Sequence, residues 1–193
     1  MVNISTQDVV HPIGTYKGAA LLLVDLQGCL ALAIPETPRV VPRIARLIEE
    51  ARRAGLPILA TEQYSRGLGP TVPELRLGLA AEEIIEKIHF AATREAGFVA
   101  ALRARGLRHC FVAGMEAHVC VLQTVLGLLA TGVAVTVLGD AVASRADLNR
   151  RAALARMARA GAAITDSASL SADLRAAVAA PAGHCSPEFF RPE

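Results

Sequence analysis

The sequence predicts an α/β protein, a three-layer α/β/α sandwich around a six-stranded, mainly parallel, Rossmann-like sheet. Three observations point there. Short apolar runs alternate along the chain with longer segments of helical period. The first run, Ala19-Ala20-Leu21-Leu22-Leu23-Val24, is apolar without a break, as a strand covered on both faces must be. At 193 residues and 53% hydrophobic, the chain can bury one sizeable core. It reads as a single domain over 1–193, with a core at about 17–175, an N-terminal arm and a C-terminal tail.

The elements follow in order. Residues 1–18 contain His11, Pro12, Gly14 and Gly18, lack a clear period and read as an irregular arm. The strand 19–24 is closed by Asp25, and a carboxylate at the end of a buried strand is costly unless it is paired or used. Pro38 and Pro42 open a helix that reaches Ala54, and Gly55 stops it. A second strand covers 56–61. Residues 62–82 then read as a long loop holding Gly67, Gly69, Pro70 and Pro73, and long structured loops often carry function. The third strand starts at 84 and ends near Lys87. A helix over 98–105 stops at Gly106, a fourth strand covers 109–114, and a helix over 120–131 stops at Gly132. Strand 133–138, helix 147–160, strand 162–165 and a short helix 171–179 complete the alternation. Residues 181–193 form a tail that can pack on a neighbouring subunit.

Composition excludes several classes of function. A formal net charge of +2, with basic residues scattered over the helical stretches 43–53 and 150–159, describes solvated helix faces and gives no case for nucleic acid. No apolar run reaches membrane-spanning length without a Gly, Pro or charge, and no signal-peptide pattern opens the sequence. Cys29, Cys110, Cys120 and Cys185 lack CxxC spacing, so reduced thiols in a cytoplasmic protein are expected. The histidines His11, His89, His109, His118 and His184 form no ligand-like cluster, and neither a metal nor another cofactor is expected. Gly67-Leu68-Gly69 is no phosphate loop, because no Lys-Ser/Thr follows it.

The chemistry collects at one edge. In parallel α/β sheets ligands bind outside the carboxyl ends of the strands. Asp25, Lys87 and Cys120 each stand at or just after the carboxyl end of a different predicted strand. Their types fit together: Asp25 as general base, Lys87 as a cation that lowers the thiol pKa, and Cys120 as nucleophile, with helix-start N–H groups for an oxyanion. Taken singly, each has an ordinary reading as well. Cys120 can be a small buried hydrophobe, and Asp25 with Lys87 a structural ion pair between strand ends. Gln63, Tyr64 and Phe90 can line a substrate pocket or simply pack. Cys29, close to Asp25 in sequence, reads more simply as a structural thiol than as a second reactive one.

Three motifs carry a family resemblance: Ala20-Leu21-Leu22-Leu23-Val24-Asp25-Leu26-Gln27, then Glu86-Lys87-Ile88-His89-Phe90, then Gly114-Met115-Glu116-Ala117-His118-Val119-Cys120-Val121. In this order the chain resembles the isochorismatase-like cysteine hydrolases, relatives of the nicotinamidases and N-carbamoylsarcosine amidohydrolase. The resemblance covers roughly 17–175. It implies a catalytic Asp25, Lys87 and Cys120, and a non-proline cis peptide at Met115-Glu116 that aims an N–H, with that of Cys120, into an oxyanion hole. Nicotinamidases carry an Asp-x-His metal motif after the second strand. Thr61-Glu62-Gln63-Tyr64 stands there instead, and with the following Gly67–Leu75 stretch it resembles the metal-free branch, mostly of undefined substrate. Isochorismatases proper lack the cysteine, which argues against vinyl-ether cleavage here. The implied activity is hydrolysis of a small-molecule amide or related C–N bond through a covalent thioacyl-enzyme. A non-catalytic binding or assembly protein, or a redox-sensing member of the same fold, is the alternative. Apolar content and the resemblance together predict a homo-oligomer with a small-molecule substrate, without nucleic-acid or membrane partners.

Overall fold

The computed structural model describes residues 16–179. Nearly all of the predicted arm, and the whole of the tail 181–193, lie outside them. Among the described residues six strands form one sheet: β1 (Ala19–Val24), β2 (Ile58–Gln63), β3 (Ile84–Lys87), β4 (His109–Met115), β5 (Ala134–Ala143) and β6 (Ala163–Thr165). Their order is β3-β2-β1-β4-β5-β6, and every pairing is parallel. The chain runs outward from β1 to β3, returns to β4 beside β1, and runs outward again to β6. This reversal opens a crevice at the carboxyl ends of β1 and β4.

The helices are α1 (Gly28–Ala33), α2 (Thr37–Arg53), α3 (Ser65–Leu68), α4 (Pro73–Arg76), α5 (Ala96–Ala104), α6 (Leu122–Ala130), α7 (Asp147–Arg159) and α8 (Ser167–Ala179). The sequence of β1 explains the three layers. All six residues are buried. Ala19, Leu21 and Leu23 join one core with Ile44, Leu47 and Ile48 of α2 and Leu170 and Leu174 of α8. Ala20, Leu22 and Val24 join the other with Phe98 and Leu102 of α5, Val125 and Leu128 of α6, and Met157 of α7. A strand alternates its side chains, so an unbroken apolar run needs a helical layer on each face. No helix among the described residues is long and apolar enough to cross a membrane.

Five segments differ from expectation, several through contacts distant in sequence. The loop 62–82 is ordered by α3, α4 and a 3-10 turn at Ala81–Glu83. Its glycines and prolines read correctly as breaks, but its order comes from buried polar side chains. Gln27 donates from its amide to the carbonyls of Gln63 (3.0 Å) and Gly69 (2.6 Å), and accepts from Gln63 N–H (2.7 Å). Glu62 accepts from the N–H and the hydroxyl of Thr71, each at 2.8 Å. Directly after Gln27 comes α1, where no helix was expected. β5 continues to Ala143 instead of stopping at 138. Gly139-Asp140 reads as a turn, yet Asp140 serves the start of α8, accepting from Ser167 N–H (2.7 Å) and Ser167 hydroxyl (2.6 Å). That contact also starts α8 at Ser167, ahead of the expected 171. Finally, the helix expected at Cys120 opens earlier, with a π-helical turn over Ala117–Val121 that leads into α6.

One glycine fixes the crevice. Gly114 has φ +145, and a Cβ there would lie 2.2 Å from the Val24 carbonyl oxygen. The ends of β1 and β4 approach this closely only because residue 114 has no side chain. Asp25 and the turn bearing Cys120 are thereby held side by side.

Candidate active site

Asp25 follows the last residue of β1. Its φ is +52, a left-handed conformation that Asp tolerates better than most residues. Its N–H donates to the Thr61 carbonyl (3.1 Å), which extends the β1–β2 pairing one residue past the strand. The carboxylate is wholly buried. Oδ1 accepts from the Thr61 hydroxyl at 2.6 Å. Oδ2 lies 2.7 Å from Lys87 Nζ, at an angle that makes the contact an ion pair more than an aligned hydrogen bond.

Lys87 closes β3 and is also buried; its side chain has no exposed surface. A buried ammonium needs an acceptor for each of its three N–H bonds. Besides Asp25, Nζ has Gln63 Oε1 at 2.7 Å and the carbonyls of His89 and Phe90 at 3.2 Å each. The turn that supplies those carbonyls is braced by Glu95, which accepts from the N–H groups of His89 and Ile88 at 3.0 Å and lies 2.9 Å from His89 Nδ1. The His89 N–H chiefly, with the other donors, pulls the Glu95 carboxyl down to about 2.

Cys120 sits in the π-helical turn after β4 and is 6% exposed. Asp25 and Lys87 are the charged groups that act on its thiol. The structure thus brings Asp25, Lys87 and Cys120 from three strand ends into one contact group. Its electrostatics differ from expectation. Burial above all, and then the Asp25 carboxylate, push the Cys120 thiol up to about 12, and Lys87 only partly offsets them. Burial also raises Asp25, against the downward pull of Lys87, the Cys120 thiol and the Thr61 hydroxyl. The resting thiol is therefore protonated, and the carboxylate beside it is a stronger base than one in water. A proton moved from sulfur to Asp25 leaves the net charge of the group unchanged, so burial opposes that transfer far less than it opposes ionisation to solvent.

The peptide bond Met115-Glu116 is cis. The Glu116 carbonyl accepts from Val119 N–H (3.1 Å) and Val121 N–H (3.2 Å), which pins the turn and leaves the Val119 donor committed. The Glu116 side chain turns away from the thiol to pair with Arg145, with His118 Nδ1 3.3 Å from its second oxygen. The expected pocket residues separate. Gln63 faces inward, accepting from Lys87 and donating to the Ile88 carbonyl (2.8 Å), so it supports Lys87. Tyr64 is half exposed, and its ring lies over Gly67, where a Cβ would come 2.5 Å from Tyr64 Cε1. Phe90 does line a cavity of about 390 Å³, with His89, Arg94, His118, Val119 and Gln123 among its other walls. Its walls include His89 and Phe90, whose carbonyls meet Lys87, and Val119, the chain neighbour of Cys120.

Among the described residues no three His, Cys, Asp or Glu side chains group as metal ligands; His11, His184 and Cys185 lie outside them. At the place of the metal motif, Thr61 and Gln63 face Asp25 and Lys87, while Glu62 is turned to Thr71 and Arg76. Thr61, Gln27 and Glu95 escaped sequence reasoning. The period-two alternation of β2, which puts 61 and 63 on one face, was the one signal that could have found Thr61.

Residues 19–169 match the family model described as the Isochorismatase domain. The chain is 38% identical over 159 residues to isochorismatase domain-containing protein 2A of Mus musculus, covering 80% of this chain and 73% of that one. Among solved structures it is similar to the MAR1 ribonuclease of Caenorhabditis elegans, at 38% identity and a TM-score of 0.77, covering 82% of this chain and 81% of that one. It is also similar to the YcaC gene product of Escherichia coli, an octameric hydrolase of unknown specificity, at 29% identity and a TM-score of 0.77, covering 82% and 80%.

Proposed function

The chain belongs to the isochorismatase domain family, and from that premise we propose a cysteine hydrolase that cleaves a small-molecule amide or related C–N bond through a thioacyl-enzyme. One observation carries the reading: a wholly buried Asp25–Lys87 ion pair, 2.7 Å apart, whose two charges both act on the buried thiol of Cys120. A scaffold has no need of a thiol there, and a buried ion pair alone is a poor source of stability.

The steps use this chain's own groups. Substrate in the cavity beside Phe90 and Val119 presents its carbonyl carbon to Cys120. Asp25 takes the thiol proton as sulfur bonds to that carbon. N–H groups of the 115–120 turn, Cys120 among them, hold the oxyanion. On collapse the C–N bond breaks, and Asp25 returns its proton to the leaving amine. Water then enters, gives a proton to Asp25 and attacks the thioester. The C–S bond breaks, sulfur takes the proton from Asp25, and the acid leaves. Lys87 accompanies the negative charge as it passes between Asp25 and sulfur. The same reading includes a homo-oligomer, supported by the octameric E. coli relative.

A screen of small amides tests this directly. Wild-type protein is expected to release amine from at least one of them, with an acyl adduct on Cys120 visible by mass spectrometry. Cys120→Ala should give background, and Cys120→Ser nearly so, since an alkoxide is far harder to form than a thiolate. Equal turnover by wild type and Cys120→Ala would sink the reading.

A further inference from the structure

We propose that Thr61 is a positioning residue for the reaction, holding Asp25 in place and keeping it ionised through its hydroxyl. The inference rests on the proposed role of Asp25 as base.

Thr61 grips Asp25 at both ends. Its carbonyl accepts the Asp25 N–H at 3.1 Å, and its hydroxyl donates to Oδ1 at 2.6 Å. The first contact fixes the backbone of a residue in the left-handed region; the second fixes the carboxylate plane. Thr61 is 1% exposed, so no water replaces its hydroxyl. Its place follows from the fold. β2 pairs in register with β1, Val24 opposite Thr61, and the strand alternation turns 61 toward the site and 62 away from it.

The division of Asp25's two oxygens is what gives the hydroxyl a function. Oδ2 is next to Lys87, and Oδ1 is held by Thr61. The titratable groups facing Asp25 are Lys87 from β3 and Cys120 from the turn after β4. Lys87 is shared among Asp25, Gln63 and two carbonyls, so its charge is not given to Asp25 alone. The Thr61 hydroxyl donates to Oδ1, and such a bond is stronger to the carboxylate than to the neutral acid, so it favours the ionised base before each attack. It also prevents the carboxylate from rotating Oδ2 away from Lys87.

Three variants test the hydroxyl itself. Thr61→Val keeps the shape and removes the donor; Thr61→Ala removes both; Thr61→Ser keeps the donor. The protonation midpoint of Asp25 is read by infrared difference titration, on the carboxyl band that Asp25→Asn lacks. Thr61→Val and Thr61→Ala are expected to move that midpoint upward by about one pH unit, and Thr61→Ser to leave it at the wild-type value. The acid limb of kcat/KM should move by the same amount, with KM unchanged. An unmoved midpoint in Thr61→Val overturns the inference, as does an equal shift in Thr61→Ser. If Thr61→Val does not fold, Thr61→Ala against Thr61→Ser decides in the same way. The infrared midpoint needs no turnover, so a wild type that hydrolyses no amide would end the hydrolase reading and leave the titration to judge Thr61 separately.

Discussion

Asp25→Asn will remove turnover while making the Cys120 thiolate easier to form. The two effects have opposite signs because Asp25 does two things to the sulfur. In the proposed mechanism it receives the thiol proton during attack, and loss of a positioned general base typically costs about 10²- to 10⁴-fold in rate. At rest its negative charge and its hydrogen bond raise the thiol, in second and third place after burial. Asparagine keeps the size and removes the charge, so Lys87, which lowers the thiol, is opposed by burial and no longer by a carboxylate. The ultraviolet absorbance of the thiolate, taken as the difference from Cys120→Ala, should therefore appear at lower pH in Asp25→Asn than in wild type. Turnover at wild-type rate in Asp25→Asn would show that another group is the base. A thiolate midpoint that rose would show that Asp25 had been stabilising the anion, contrary to the geometry.

Lys87→Met should be the most destabilising conservative change in the site. It leaves Asp25 buried and charged, with the Thr61 hydroxyl and the Cys120 thiol as its remaining side-chain partners. Breaking a buried pair in this way costs about 3–5 kcal/mol. For a chain of this length that lowers Tm by on the order of 10 °C. Turnover should be lost as well, because the anion moving from Asp25 to sulfur has no counter-charge. The double variant Asp25→Asn/Lys87→Met should recover part of the lost stability, since it buries neither charge. Thermal unfolding of wild type, the two single variants and the double variant closes that cycle. Strict additivity would mean that the two side chains do not interact energetically in the folded protein.

Much of this was legible in the chain. β1 announced a strand covered on both faces because its six residues are all apolar. Asp25, Lys87 and Cys120 could be placed together because each stands at or just after the end of a strand, and parallel strands share one carboxyl edge. What escaped notice was carried by polar contacts across long sequence separations. The amide of Gln27 orders residues 63–71, and Asp140 starts a helix 27 positions later. Neither side chain has a local signature, since an amide or carboxylate in a loop reads as solvated until its partner is known. The thiol was misjudged for a different reason. A cation and a helix start can be read from sequence, and both lower a thiol; the depth of burial that outweighs them here cannot be read there. Alternation could put Gln63 on the side of the sheet that holds the site, but not name Lys87 as its partner there.

The complete enclosure of the Asp25–Lys87 pair has a consequence for the response to ionic strength. Mobile ions screen charges that they can surround, over about 8–10 Å in ordinary buffers, and they cannot surround these. In the proposed mechanism the charge that moves during the chemical step stays within the group of Asp25, Lys87 and Cys120. Added salt should therefore leave kcat nearly constant from dilute buffer to well above physiological strength. Any sensitivity to salt should fall on KM, where the open rim of the cavity, with Arg94 on it, meets an arriving substrate.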